Sequence, residues 1–103
     1  MSAITGKWQQ PAGQPYPGLW FEFKEDGSFR AEFPEMGIVS SGTYTTSGNQ
    51  IDMLQTQHTL GFTGQFLGIW MVEGETLKMG VGQLPGQRPT DFNSARTYIR
   101  MNA

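Results

Sequence analysis

Apolar and polar residues alternate with period two through most of this chain, and glycine interrupts the alternation at short intervals. Leu19, Phe21 and Phe23 fall on one side of a run whose other side carries Glu22 and Lys24. Phe29, Ala31 and Phe33 alternate in the same way with Arg30 and Glu32, as do Leu77, Met79 and Val81 with their neighbours. Period two is the spacing of a β-strand with one face buried, and no window shows the i, i+3, i+4 stripe of a helix. Eight strands are expected: Ile4–Gln9, Leu19–Lys24, Phe29–Phe33, Gly37–Thr45, Gln50–Gln57, Gln65–Val72, Thr76–Val81 and Ala95–Met101. Short turns separate most of them, among them Glu25-Asp26-Gly27-Ser28, where Asp-Gly supplies the positive φ of a tight hairpin. Longer loops run over Gln10–Gly18 and Gly82–Ser94, and residues His58–Gly64 fit either a strand or a loop.

Sequential hairpins make an antiparallel meander, and closure into a barrel removes the edges that would otherwise pair with other chains. The expected fold is all-β: an antiparallel up-and-down eight-stranded barrel, one domain over residues 1–103, with no helix beyond a short turn. Eight strands enclose room for side chains alone or for one small ligand. The inward set is rich in phenylalanine, so the cavity is expected to be cramped.

Composition removes several functions. The seven lysines and arginines are scattered singly and the net charge is −2, which argues against nucleic acid and against a polybasic membrane anchor. The absence of cysteine excludes disulfides, thiol nucleophiles and Cys-ligated zinc. No apolar run approaches the roughly 18 residues of a membrane-spanning helix. The N-terminal residues lack the apolar core of a signal peptide, so the expectation is a cytoplasmic protein or a mature exported domain. No cofactor or metal is expected, since no phosphate loop, nucleophile–base pair or metal-ligand spacing is visible.

Several segments in order resemble the lipocalin-like (calycin) families. Gly6-Lys7-Trp8 is similar to the Gly-x-Trp of a lipocalin first strand. The hairpin Phe21-Glu22-Phe23-Lys24-Glu25-Asp26-Gly27-Ser28-Phe29 resembles that of small bacterial lipocalin-like domains, as do Gly42-Thr43-Tyr44-Thr45 and Gln50-Ile51-Asp52 after it. Gly68-Ile69-Trp70, Leu77-Lys78-Met79 and Arg88-Pro89-Thr90-Asp91-Phe92 resemble the closing half. The resemblance implies that Trp8 closes one end of the barrel under an arginine of the last strand, either Arg96 or Arg100. Arg96-Thr97-Tyr98 also resembles the Arg-x-Tyr of fatty-acid-binding proteins, which implies a pair that holds a ligand carboxylate. Residues two apart share a strand face, and a guanidinium fork suits a carboxylate.

The candidate binding residues are Phe21, Phe23, Phe33, Tyr44, Met53, Gln55, Met79, Arg96 and Tyr98, all on the expected inner face. Ser40, Tyr44, Gln55 and Gln57 are polar positions on otherwise inward faces, and buried polar groups need partners. Either they line a polar pocket or a β-bulge turns them to solvent. His58, the single histidine, is expected at a solvated strand end. The Gln10–Gly18 loop with Tyr16 is a candidate rim, and Arg88–Phe92 a candidate latch. Leu54, Leu67, Ile69 and Met71 form an apolar outer stripe, a candidate homodimer face or a surface covered by a loop.

The expected function is binding of a small, partly apolar or amphipathic molecule inside the barrel. Two alternatives stand beside it: a barrel enzyme of isomerase or cyclase type using Tyr44, His58 or a carboxylate as acid or base, and a structural module with a filled core.

Overall fold

A computed structural model describes residues 4–61, 63–82, 86–93 and 95–101. The strands are β1 (Gly6–Gln9), β2 (Trp20–Phe23), β3 (Ser28–Phe33), β4 (Ile38–Ser47), β5 (Gln50–His58), β6 (Gly64–Glu73), β7 (Thr76–Val81) and β8 (Arg96–Arg100). They form a closed all-antiparallel barrel in sequence order, with β1 pairing β8 through Trp8↔Arg100 and Gln9↔Ile99. The single helical element among the described residues is a 3₁₀ turn, Pro34–Met36, which joins β3 to β4. No helix among the described residues is long and apolar enough to cross a membrane.

Alternation of connections divides the barrel into two ends. The lower end carries the tight turns at residues 24–27, 48–49 and 74–75, and the upper end carries the connections at 10–19, 34–37, 59–63 and 82–95. The β2–β3 turn follows the sequence directly. Gly27 has φ 89°, and the Asp26 carboxylate accepts from both the backbone N–H (2.9 Å) and the hydroxyl (2.6 Å) of Ser28. Those bonds, the Ser28 hydroxyl's first, hold the Asp26 carboxyl below the usual aspartate range.

The lower end is packed solid. Trp8, Phe23, Ile51 and Leu77 are fully buried, and Phe29, Tyr44 and Met53 nearly so. The rings interlock: Phe23 lies edge-on to Tyr44 at 5.0 Å and stacks on Phe21 at 5.7 Å. Trp8 donates its indole N–H to the Ile4 carbonyl at 2.8 Å. The Arg100 guanidinium covers its ring at 4.1 Å from the centroid, so Arg100, not Arg96, is the arginine over Trp8. Arg100 is itself fixed by the Thr5 carbonyl (3.2 Å) and by Glu75 (3.3 Å). Gly6 has φ 132°, a conformation that favours glycine, and a β-carbon there would also press on this guanidinium.

The outer apolar stripe is only partly open. Leu54 and Met71 are exposed, whereas Ile69 is 5% exposed. Arg88 donates to the carbonyls of Gly68 (2.7 Å) and Ile51 (3.1 Å) and pairs with Asp52, a residue of the outer face. These bonds draw the residue 86–93 segment onto the flank of β5 and β6. Arg88 is thus the latch, with Asp52 as its acid, while the Asp91 carboxylate accepts from the Asn93 N–H instead.

Candidate functional site

A β-bulge in β5 decides which residues face the upper interior. Gly42 pairs with Gln55 and Ser41 with Gln57, leaving Thr56 as the extra residue. Inward parity runs through Ile51, Met53 and Gln55, then shifts by one, so that Ser40 stands opposite His58. Gln57 turns outward, is exposed, and accepts a bond from the Ser41 hydroxyl at 3.2 Å. His58, expected at a solvated strand end, is the last residue of β5, half-buried, and stands on the inner face. The bulge brings the two strands so close that any β-carbon at Gly42 would overlap the Leu54 carbonyl.

Above the packed end the barrel opens into two compartments that share Tyr16, Leu19 and Phe21 as walls. The larger has a volume of about 430 Å³ and is lined also by Phe33, Met36 and Ile38, with Ser40 and His58 as its polar groups. The smaller, about 230 Å³, is bounded by Met79, Val81, Gln10, Arg96 and Tyr98. Phe21 is the floor between the two halves: below, it stacks on Phe23 and Phe29, and it meets Tyr98 edge-on at 5.8 Å.

The rim is ordered by hydrogen bonds. Gln10, only 2% exposed, accepts from the Tyr16 N–H at 3.1 Å through its amide oxygen and donates to the Tyr98 hydroxyl at 3.2 Å. Gln14 accepts from the Thr97 N–H at 2.9 Å, and Tyr16 meets Phe33 edge-on at 6.1 Å. Burial raises the Tyr98 hydroxyl above the usual tyrosine range, partly offset by the Gln10 bond and the Arg96 charge.

The candidate residues therefore separate. Phe21, Phe33, Met79, Arg96 and Tyr98 line the upper compartments. Phe23, Tyr44 and Met53 belong to the packed core, and the Tyr44 hydroxyl donates to the Lys24 carbonyl at 2.7 Å, latching a lower turn. Gln55 is half-buried on the inward side of β5 just before the bulge and lines neither upper compartment. Leu19, Met36 and Ile38, none of them among the expected ligand contacts, complete the cavity together with Ser40, one of the polar positions expected on an inward face. Leu19 does carry the inward parity of β2, which was the available signal.

His58 is held in one tautomer. Its Nδ1 accepts the Leu60 N–H at 3.0 Å, so in the neutral ring the proton sits on Nε2. In that state the imidazole donates a hydrogen bond through Nε2 rather than removing a proton there. No group of three or more potential metal-ligating side chains is present among the described residues. The chain has no significant match among protein-family models, curated proteins or solved structures.

Proposed function

We propose that this barrel binds a small, partly apolar molecule in the upper interior, in the manner of a lipocalin-like carrier. The observation that supports this reading is the opening of about 430 Å³ walled by Leu19, Phe21, Phe33 and Ile38 directly above a filled core. Apolar walls with a few placed polar groups, in a volume of a few hundred cubic ångströms, suit a small organic ligand. Arg96 adds a cation beside the smaller compartment, which extends the reading to amphipathic molecules with an anionic group.

The test is fluorescence titration with a neutral apolar dye, N-phenylnaphthylamine, and a fluorescent fatty acid. The reading expects saturable binding of the neutral dye, abolished by the plugging substitution Ile38→Trp without loss of the folded barrel. An anionic preference lost in Arg96→Ala would add the amphipathic class. Absence of saturable binding by either probe would leave the barrel as a structural module.

A further inference from the structure

The two compartments of the upper interior lie on either side of β2 around the barrel. The larger is bounded by residues of β3 and β4, among them Ala31, Phe33 and Ile38. The smaller is bounded by Met79 and Val81 of β7 and by Tyr98 of β8. Tyr16, Leu19 and Phe21 belong to both. Leu19 and Phe21 are two residues apart, so they project inward one above the other, with Phe23 of the packed core next below. Both are held. Phe21 stacks on Phe23 and Phe29 and meets Tyr98 edge-on. The Leu19 N–H donates to the Tyr16 carbonyl at 3.0 Å, and the Leu19 carbonyl accepts from the Gln10 N–H at 2.9 Å. The Tyr16 ring leans on Phe33 at the larger compartment, while its backbone N–H bonds Gln10 at the smaller one. The shared wall is therefore anchored from both sides.

We infer that Leu19 and Phe21 are specificity-determining residues: they partition the upper interior and confine the apolar part of a ligand to the larger compartment, so that the barrel selects compact or short-chain apolar molecules over long-chain ones. The inference rests on the binding reading given above and adds the size class. Each methylene that a ligand buries raises affinity roughly fourfold. A chain that has filled the larger compartment can bury more only by displacing Leu19 or Phe21. Displacing Phe21 gives up its contacts with Phe23, Phe29 and Tyr98, and displacing Leu19 strains a backbone bonded at both its N–H and its carbonyl. The gain per methylene therefore ends at the partition.

The test uses the full chain and a homologous series of neutral probes, the 1-alkanols from hexanol to dodecanol, with affinity read by calorimetry. In the wild type, affinity should climb roughly fourfold per methylene and then level off within the series. Leu19→Ala opens the partition at its half-buried top, and Phe21→Leu opens it lower down while keeping part of the floor. Thermal unfolding shows whether each variant remains folded. In either variant the climb should continue to longer alcohols. Met36→Ala is the control, because it enlarges the larger compartment alone, and its levelling point should match the wild type. Methyl NMR gives a second readout. With decanol, Ile38 should shift in the wild type while Met79 and Val81 hold still, and all three should shift in Leu19→Ala. Affinity that climbs through dodecanol in the wild type would overturn the inference and leave the cavity standing. So would a levelling point that Leu19→Ala and Phe21→Leu leave in place, or one that Met36→Ala moves as far. If no alcohol binds at all, the cavity reading fails and the inference falls with it.

Discussion

The lower and upper ends of the barrel are made by the same eight strands, yet one is solid and the other open. At the lower end Trp8, Phe23, Leu77 and Ile51 are fully buried, whereas at the upper end Leu19, Phe21, Phe33 and Ile38 keep part of their surface uncovered. Side-chain size does not account for the difference, since phenylalanines sit in both halves. The connections do. Below, tight turns join the strands, and the Arg100 guanidinium and the Ile4 carbonyl cap Trp8. Above, the longer connections are tied elsewhere: Gln10 and Gln14 anchor the 10–18 segment to the rim at β8, and Arg88 pulls the 86–93 segment onto the outer flank at Asp52. An inward-facing residue becomes core only when something also covers the end of the barrel. The same aromatic set thus makes a plug at one end and a pocket wall at the other.

Substitutions in the two halves should differ accordingly, with the largest effect below. Trp8→Ala should cost about 3–5 kcal/mol, whereas Ile38→Ala on the cavity wall should cost under about 2 kcal/mol. Urea unfolding of the two variants measures this, and equal losses would erase the distinction between plug and pocket.

The bulge comes next. Gly42→Ala requires the β4 and β5 backbones to separate, at a cost of roughly 1–3 kcal/mol. Its more informative consequence is at the upper end, where N-phenylnaphthylamine should bind more weakly as the cavity wall at Ser40 and His58 shifts. Unchanged dye affinity would separate the bulge from the cavity.

The two buried tyrosines should also part company. Removing either hydroxyl costs on the order of 1 kcal/mol, since Tyr44 bonds a lower turn and Tyr98 bonds Gln10. Burial holds the Tyr98 hydroxyl above the usual tyrosine range. Its contribution is therefore complete below that range and is lost as pH rises through and beyond it, because the unfolded chain ionises first. Tyr98→Phe should flatten the alkaline limb of stability against pH; an unaltered limb would place the alkaline loss elsewhere.

The smallest expected effect is acidic and confined to the lower end. Asp26, depressed by its Ser28 bonds, stabilises above the usual aspartate range and loses that contribution as pH falls through its lowered value. Asp26→Asn should slightly reduce the acid dependence of unfolding while leaving probe binding at the upper end intact.

Most of the strand set was legible because period-two runs such as Phe21–Phe23 and Leu77–Val81 leave little choice of face. The observed bounds differ from the expected ones by a few residues at most, as in β4, which begins at Ile38 and continues to Ser47. The lipocalin-like resemblance left two arginines, Arg96 and Arg100, to cover Trp8, and geometry decided for Arg100. What alternation could not reveal was the bulge: one unpaired residue at Thr56 reverses every face beyond it, sending Gln57 out and His58 in. Nor could it reveal the tether of Arg88 to Asp52, a contact between residues distant in sequence. The sequence placed Tyr44 and Met53 beside Phe33 on one inner face, but strand position put them in different halves.

Ligand is expected in the upper half alone, and methyl-resolved NMR during titration with N-phenylnaphthylamine tests this most directly. Leu19, Met36 and Ile38 should shift as the probe binds, while Ile51 and Leu77, sealed in the lower core, should hold still. Shifts centred on Ile51 and Leu77, or saturable binding that leaves Leu19, Met36 and Ile38 unmoved, would contradict the account.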